Sequence, residues 1–352
     1  MYRTFLFSPT LRCNLACEYC YQTPRSESWN YLKTFETLLK EIGKYYEPFT
    51  IILHGGEPTL IGKENLRKLC EIAKNSGIFS KPIGIQTNLY NWDDDFSQIA
   101  KDYDLRISTS YDGPVSVRKD KRGQDTSKLV RSKIQELQKN GFSISFIADL
   151  LPICPVEDVI DDFCELGVKT VQVRFPHTTL FEKNKMTQYV LDFYNKGLDK
   201  LTERGIFDRM LASLVGLLYL PPKVKKRTLC VMTPCMELRK YISVLGNGDI
   251  FPCNRLIDSK YKIGNVYKNT LVDAINSDTT KCIVKKEREI WQDSECKECP
   301  ARNVCFGGCH GERTNNKYIA CDLTKARLNL VTLLTQIKPN IIDFYIGRAA
   351  NA

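Results

Sequence analysis

The sequence predicts an α/β fold built on a parallel sheet and followed by a smaller cysteine-rich region. Two observations carry this. Short β-branched runs alternate with amphipathic segments from the N-terminus to about residue 205, the pattern of repeated βα units. Beyond them, cysteines recur at metal-ligand spacings around a hairpin turn signal.

The elements follow in order. Tyr2–Phe7 reads as the first strand, and Tyr31–Tyr46 carries a helical stripe of Leu32, Phe35, Leu38, Leu39, Ile42 and Tyr45. Further strands are predicted at Phe49–Leu53, Ile83–Gln86, Leu105–Ser110, Ser143–Ala148 and Val168–Phe175. Helices fall between them at Glu64–Asn75, Asp94–Lys101, Ser127–Asn140 and Val156–Leu166. The chain of 352 residues therefore divides into a sheet domain over 1–205, a helical linker over 206–229, a cysteine-rich domain over 230–325 and a C-terminal helix over 326–352.

The chain has fifteen cysteines and no secretion signal, which points to a reducing, cytoplasmic setting where thiols serve metals. No apolar run approaches the ~20 residues of a membrane span. The basic run Lys223–Arg227 reads as a solvated linker, so no nucleic-acid partner is expected.

Cys13, Cys17 and Cys20 stand at C-x3-C-x2-C spacing in CNLACEYC, directly after the first strand. Three thiolates on a four-iron cluster leave one iron open, as in catalytic metal centres. With Tyr19 before the last cysteine, the run resembles that of the radical S-adenosylmethionine (SAM) enzymes. The resemblance implies a SAM-chelating 4Fe-4S cluster on these three cysteines, a 5′-deoxyadenosyl radical after one-electron cleavage, Tyr19 near the adenine, and closure of the βα units into a partial (β/α)6 TIM-like barrel.

Parallel barrels place their chemistry on the loops after the strands. Gly55-Gly56-Glu57-Pro58 follows the second strand: paired glycines allow close backbone approach, and Glu57 can accept from an ammonium group. This is similar to the family's GGEP motif, which implies contact with the methionine amino group. Gln86-Thr87-Asn88 and Ser110, in a segment similar to S-x-D-G-P, are implied near the SAM ribose or carboxylate. Arg174 is a further candidate, because charged side chains rarely enter an apolar layer unpaired; it suits the SAM carboxylate or the substrate. His54, His177 and His310 are the chain's three histidines and candidate proton carriers. Cys70, Cys154 and Cys164 read as small core residues, and Cys282 as unligated.

In the last third, Cys235 is followed by Gly248 and Cys253, then by Cys296-x2-Cys299-x5-Cys305-x3-Cys309 and Cys321. These spacings resemble the SPASM domain, which implies two auxiliary 4Fe-4S clusters and three in all. The second auxiliary cluster would use Cys296, Cys299, Cys305 and Cys321. The first would use Cys235, Cys253 and Cys309, with Cys230 or an open iron as the fourth position. Gly307-Gly308 suits amides directed at cluster sulfurs. Three such clusters with their thiolates would add roughly −5 and bring the formal +10 nearer about +5.

The resemblance implies hydrogen abstraction from a peptide or protein, giving side-chain oxidation or a thioether or carbon–carbon link, with a reductant such as flavodoxin or ferredoxin. A small-molecule substrate such as an amino sugar or nucleoside is the alternative. A zinc-stabilised binding module without catalysis is the alternative of another class. The first strand begins almost at residue 2, so the N-terminal leader-binding domain of many peptide maturases is expected to be absent. Anaerobic sulfatase-maturing enzymes usually place a basic aspartate after the cysteine matching Cys253; this chain has Asn254, an amide that cannot remove a proton.

Overall fold

The computed structural model describes residues 3–22, 29–45, 48–78, 82–176, 178, 180–221, 240–314 and 317–350. In chain order the strands are β1 (Arg3–Thr10), β2 (Phe49–Gly55), β3 (Gly84–Gln86), β4 (Arg106–Ser110), β5 (Ser145–Asp149), β6 (Thr170–Arg174), β7 (Phe207–Asp208), β8 (Tyr241–Leu245), β9 (Asp249–Phe251) and β10 (Gly264–Asn265). The helices between them are α1 (Tyr31–Ile42), α2 (Lys63–Asn75), α3 (Asp94–Asp102), α4 (Ser127–Lys139), α5 (Val156–Leu166), α6 (Lys183–Glu203) and α7 (Arg209–Tyr219). The alternation read from the sequence is the one observed, with ends shifted by at most three residues in all elements but one. The exception is α1, which stops at Ile42 with Gly43 as its C-cap.

The chain forms two compact units: residues 1–16, 20–109 and 236–286 in the first, and 17–19, 110–235 and 287–352 in the second. In the first, the strand order is β10-β9-β8-β1-β2-β3-β4. β1 is buried over almost its whole length and pairs in parallel with β2 on one side and β8 on the other. Phe5 and Phe7 face the helices, where the Phe7 and Phe35 rings lie 4.8 Å apart, and Leu38, Leu39 and Ile42 complete the apolar stripe of α1. Such burial, at about 25 cal/mol per Å² of apolar area, is what holds an amphipathic helix on a sheet.

β8 and β9 form the antiparallel hairpin expected at Gly246–Asp249. What the sequence left open is that β8 lies beside β1, in the register Leu6↔Ser243, and widens the parallel sheet. The hairpin is thus continuous with the strands that carry the first motifs.

In the second unit β5, β6 and β7 run parallel, in the register Ala148↔Val173 and Asp149↔Arg174. A cluster of rings from Tyr111, Phe146, Phe163 and Phe193 joins the strands to α5 and α6. The expected single C-terminal helix is two, Cys321–Ile337 and Pro339–Ala350, broken where Pro339 cannot continue a helix. The buried Arg327 on the first of them donates to the Tyr194 hydroxyl at 3.0 Å and the Val173 carbonyl at 2.9 Å. Tyr194 in turn donates to Asp208, whose carboxylate caps α7 through the Met210 and Leu211 N–H groups. Among the described residues, no helix is long and apolar enough to cross a membrane.

Candidate functional site

The loop carrying Cys13 is clamped to the GGEP turn by backbone. Gly56 N–H donates to the Thr10 carbonyl at 3.2 Å and Glu57 N–H to the Arg12 carbonyl at 2.8 Å. A Cβ on Gly56 would lie 2.2 Å from the Arg12 oxygen, and Gly55 has φ +124° with a Cβ position 2.2 Å from the Thr10 oxygen. The two glycines were expected to admit a ligand; what they admit is the main chain of the cysteine loop.

Glu57 is 1 % exposed and its carboxylate is heavily used. Oε1 accepts from Thr59 N–H (3.0 Å), the Thr59 hydroxyl (2.8 Å) and the Thr87 hydroxyl (2.8 Å), and Oε2 accepts from Asn88 N–H at 2.7 Å. Burial raises its pKa while these donors oppose the rise. Each carboxylate oxygen has about two acceptor directions, and Oε2 receives one donor, so one direction on Oε2 is left for an ammonium group. Glu57 is first of all the tie between the GGEP turn and the Thr87-Asn88 loop.

The other members of that loop are equally committed. Gln86 Oε1 accepts from the Ser108 hydroxyl at 2.7 Å, between neighbouring strands of the sheet. Asn88 Nδ2 donates to Asn14 Oδ1 at 2.7 Å and reaches Cys13 Sγ at 3.8 Å. The Cys13 thiol is pushed up in pKa by burial and by the nearby Glu57 and Cys20, against a hydrogen bond from Leu15 N–H. Asn14 Nδ2 and Gln22 Oε1 are buried and have no hydrogen-bond partner among the described residues. A buried donor within the cysteine run and a buried acceptor just after it, both left over, fit a bound group there.

The second unit holds Cys17, Glu18 and Tyr19 through a charged hub absent from the sequence reading. The Tyr19 hydroxyl donates to Asp112 Oδ2 at 2.5 Å, and burial keeps the phenol protonated well above its usual range, although Arg118 pulls the other way. Asp112 also accepts from the Ser116 hydroxyl (2.8 Å), Arg118 Nε (2.9 Å) and Asp149 N–H (2.9 Å). Arg118 lies over the Tyr19 ring, 5.0 Å from its centroid. Arg174, expected to face a ligand, grips Asp149 with two donors at 3.1 and 2.9 Å, and Arg118 approaches the same carboxylate at 3.5 Å. Two buried acids and two partly buried arginines thus balance in one network. Asp112-Gly113-Pro114 is more than a turn.

Cys296, Cys299, Cys305 and Cys321 come together in the second unit. Burial first, and then the charges of Cys321, Cys296 and Cys299, push the Cys305 thiol up to about 12. Gly307 N–H is directed at the Cys305 sulfur, as expected for amides around a cluster. Burial pushes the Cys296 thiol up in pKa, and the cation of Arg313, which the spacing rules could not flag, opposes that rise. Among the described residues no three Cys, His, Asp or Glu side chains close to the spacing of a single ion. A four-iron cluster is wider than one ion, so its thiolate ligands stand farther apart than those of a single ion.

Cys309 is half-buried in the second unit and Cys253 half-buried just after β9 in the first. Cys230, Cys235, His177 and the run Lys223–Arg227 lie outside the described residues. Cys70 and Cys164 are buried on α2 and α5, Cys154 is half-buried and meets the Tyr189 hydroxyl, and Cys282 is exposed.

Residues 7–163 match the model of the radical SAM superfamily, and residues 235–300 match that of the SPASM iron–sulfur cluster-binding domain. The cysteine-type anaerobic sulfatase-maturating enzyme of Clostridium perfringens is 24% identical over 335 residues, covering 88% of this chain and 89% of that one. The serine-type enzyme of Bacteroides thetaiotaomicron is 24% identical over 339 residues, covering 86% and 80%. A solved structure described as native anSMEcpe with bound AdoMet and Cp18Cys peptide superposes with a TM-score of 0.78 at 20% identity, over 98% of this chain and 99% of that one. The cysteine loop, its glycine clamp and the gathered thiols of the C-terminal third therefore belong to a radical SAM enzyme with a SPASM iron–sulfur domain, whose cofactors are SAM and 4Fe-4S clusters.

Proposed function

We propose that this enzyme abstracts hydrogen from a side chain of a peptide or protein and leaves that residue oxidised or cross-linked. The observation that carries the reading is the clamped cysteine loop, with Asn14 and Gln22 presenting unsatisfied buried groups beside it. The peptide class is supported by relatives named for maturing sulfatases that align with most of the chain.

In this reading Cys13, Cys17 and Cys20 hold the cluster that binds SAM. Gly55, Gly56, Glu57, Gln86, Thr87, Asn88, Ser110 and Tyr19 shape the SAM site, with Arg174 acting through Asp149. Cys296, Cys299, Cys305 and Cys321 hold one auxiliary cluster. Cys253 and Cys309 serve the other with Cys235, and with Cys230 as the candidate fourth ligand, making three clusters. When bound, cluster and SAM supply one-electron cleavage to a 5′-deoxyadenosyl radical, fed by a donor such as flavodoxin or ferredoxin. The auxiliary cysteines give the electron left on the substrate a way out.

The test is isotopic. Anaerobically reconstituted protein with SAM, dithionite and a peptide deuterated at the reacting carbon is expected to yield deuterated 5′-deoxyadenosine. Deuterium arriving from a labelled amino sugar or nucleoside, and from no peptide, would overturn the peptide reading.

The glycine clamp gives a second expectation. Gly56→Ala places a methyl against two carbonyl oxygens, at 2.2 and 2.5 Å. Overpacking of this kind costs ~1–3 kcal/mol, and the cysteine loop must move to relieve it. Iron per chain is expected to fall by about one cluster's worth, ~4 irons, while unfolding stays cooperative. A full iron complement at wild-type stability would show that the loop has another support.

A further inference from the structure

We infer that Asn254 is a specificity-determining residue, whose amide NH2 donates to an acceptor oxygen, a carboxylate or amide carbonyl, on the peptide substrate. The inference rests on the peptide reading above and on which end of the amide faces the protein.

His54 is the last residue but one of β2, and the Gly55 N–H donates to its Nδ1 at 2.7 Å. An imidazole nitrogen that accepts carries no proton, so in the neutral ring the proton sits on Nε2. Nε2 lies 3.2 Å from one end of the Asn254 amide and therefore donates to it. The Tyr21 hydroxyl lies 2.5 Å from the same end. That separation suits O–H···O and is too short for N–H···O. Amide ends are told apart by their partners, and two independent partners assign this one as the carbonyl oxygen. Asn254 Oδ1 is pinned by His54 Nε2–H and Tyr21 O–H.

Its NH2 then points the other way, where Asn254 has no partner among the described residues. The residue itself is held firmly. Gln22 Nε2 donates to its backbone carbonyl at 3.3 Å, and Arg255 stacks over the Tyr21 ring at 4.4 Å. Asn254 is half-buried, directly after Cys253 and beside the end of β2, where parallel sheets present ligands. A pre-oriented pair of donors with no proton-accepting atom available reads an acceptor on the substrate and takes no proton from it.

Two measurements test this on the full-length reconstituted protein. Histidine ¹⁵N NMR, with His54 assigned by its absence in His54→Gln, is expected to show the Nε2–H tautomer; the Nδ1–H tautomer overturns the inference whatever the substrate. The second probe is a panel of short Ala/Gly peptides carrying Cys or Ser and, nearby, Asp, Asn or Leu. Rates of 5′-deoxyadenosine formation are divided by each variant's own peptide-free rate. Wild type is expected to favour Asp and Asn peptides over Leu peptides at least tenfold. Asn254→Leu is expected to lose that preference, and Asn254→Asp to turn it against the Asp peptides. Stimulation by peptides with the same preference in Asn254→Leu would overturn the inference alone. A panel that stimulates neither wild type nor variants would overturn the peptide reading and the inference together.

Discussion

Alanine at Cys13, Cys17 and Cys20 together is expected to reduce SAM cleavage to background, because the open iron on which the chemistry depends exists only while these three thiolates hold a cluster. The same variant is expected to lose about four of about twelve irons per chain and keep the rest. The separation follows from the structure. Cys296, Cys299, Cys305 and Cys321 come together within the second unit, beside Gly307. Quantifying 5′-deoxyadenosine with dithionite as reductant, alongside iron analysis, decides the matter. Cleavage at the wild-type rate in the triple variant would remove the basis for assigning the triplet, and loss of all iron would show that the clusters assemble as one unit.

Asp112→Ala is expected to cost ~3–5 kcal/mol of stability, the range for removing one partner from a buried ion pair. Asp112 is nearly fully buried and receives Tyr19, Ser116, Arg118 and the Asp149 N–H. Its loss leaves the Tyr19 hydroxyl and the Asp149 amide without an acceptor, and leaves two arginines facing one carboxylate. Denaturant unfolding should show a lower midpoint at unchanged slope. Asp112→Asn, which keeps one acceptor oxygen, should lose less. A loss under ~1 kcal/mol for the alanine variant would mean that water or Asp149 takes over the hub.

Much of this protein is legible in its residues because the relevant signals are local. The stripe Phe35, Leu38, Leu39 and Ile42 is helical in any context that supplies an apolar surface, and it packs on Phe7 as the period demands. The cysteine spacings are likewise local, since ligands a few residues apart can meet around one cluster with little help from the rest of the chain. The less legible residues are polar ones in ordinary sequence. Nothing around Arg118 or Asp149 marks them, because a charged residue near a loop is most often solvated, and only the register Asp149↔Arg174 makes them a network. Glu57 was legible as a motif, yet its Thr87 and Asn88 partners follow from the order of β2 and β3 in the sheet.

The sequence by itself determined the α/β class, the order of the βα units, the three-thiol loop and the grouping of cysteines in the last third. These rest on hydrophobic period and on covalent spacing, which need no knowledge of distant residues. Only the folded chain shows that β8 pairs with β1, that Gly55 and Gly56 admit main chain, that Arg174 grips Asp149, and that the Asn254 amide meets His54 and Tyr21. The reason is the cost of burial. A buried polar group must find a partner or lose the free energy of its hydration. Partners separated by 93 residues, as Tyr19 and Asp112 are, or by 233, as Tyr21 and Asn254 are, become known only when the sheet brings them together.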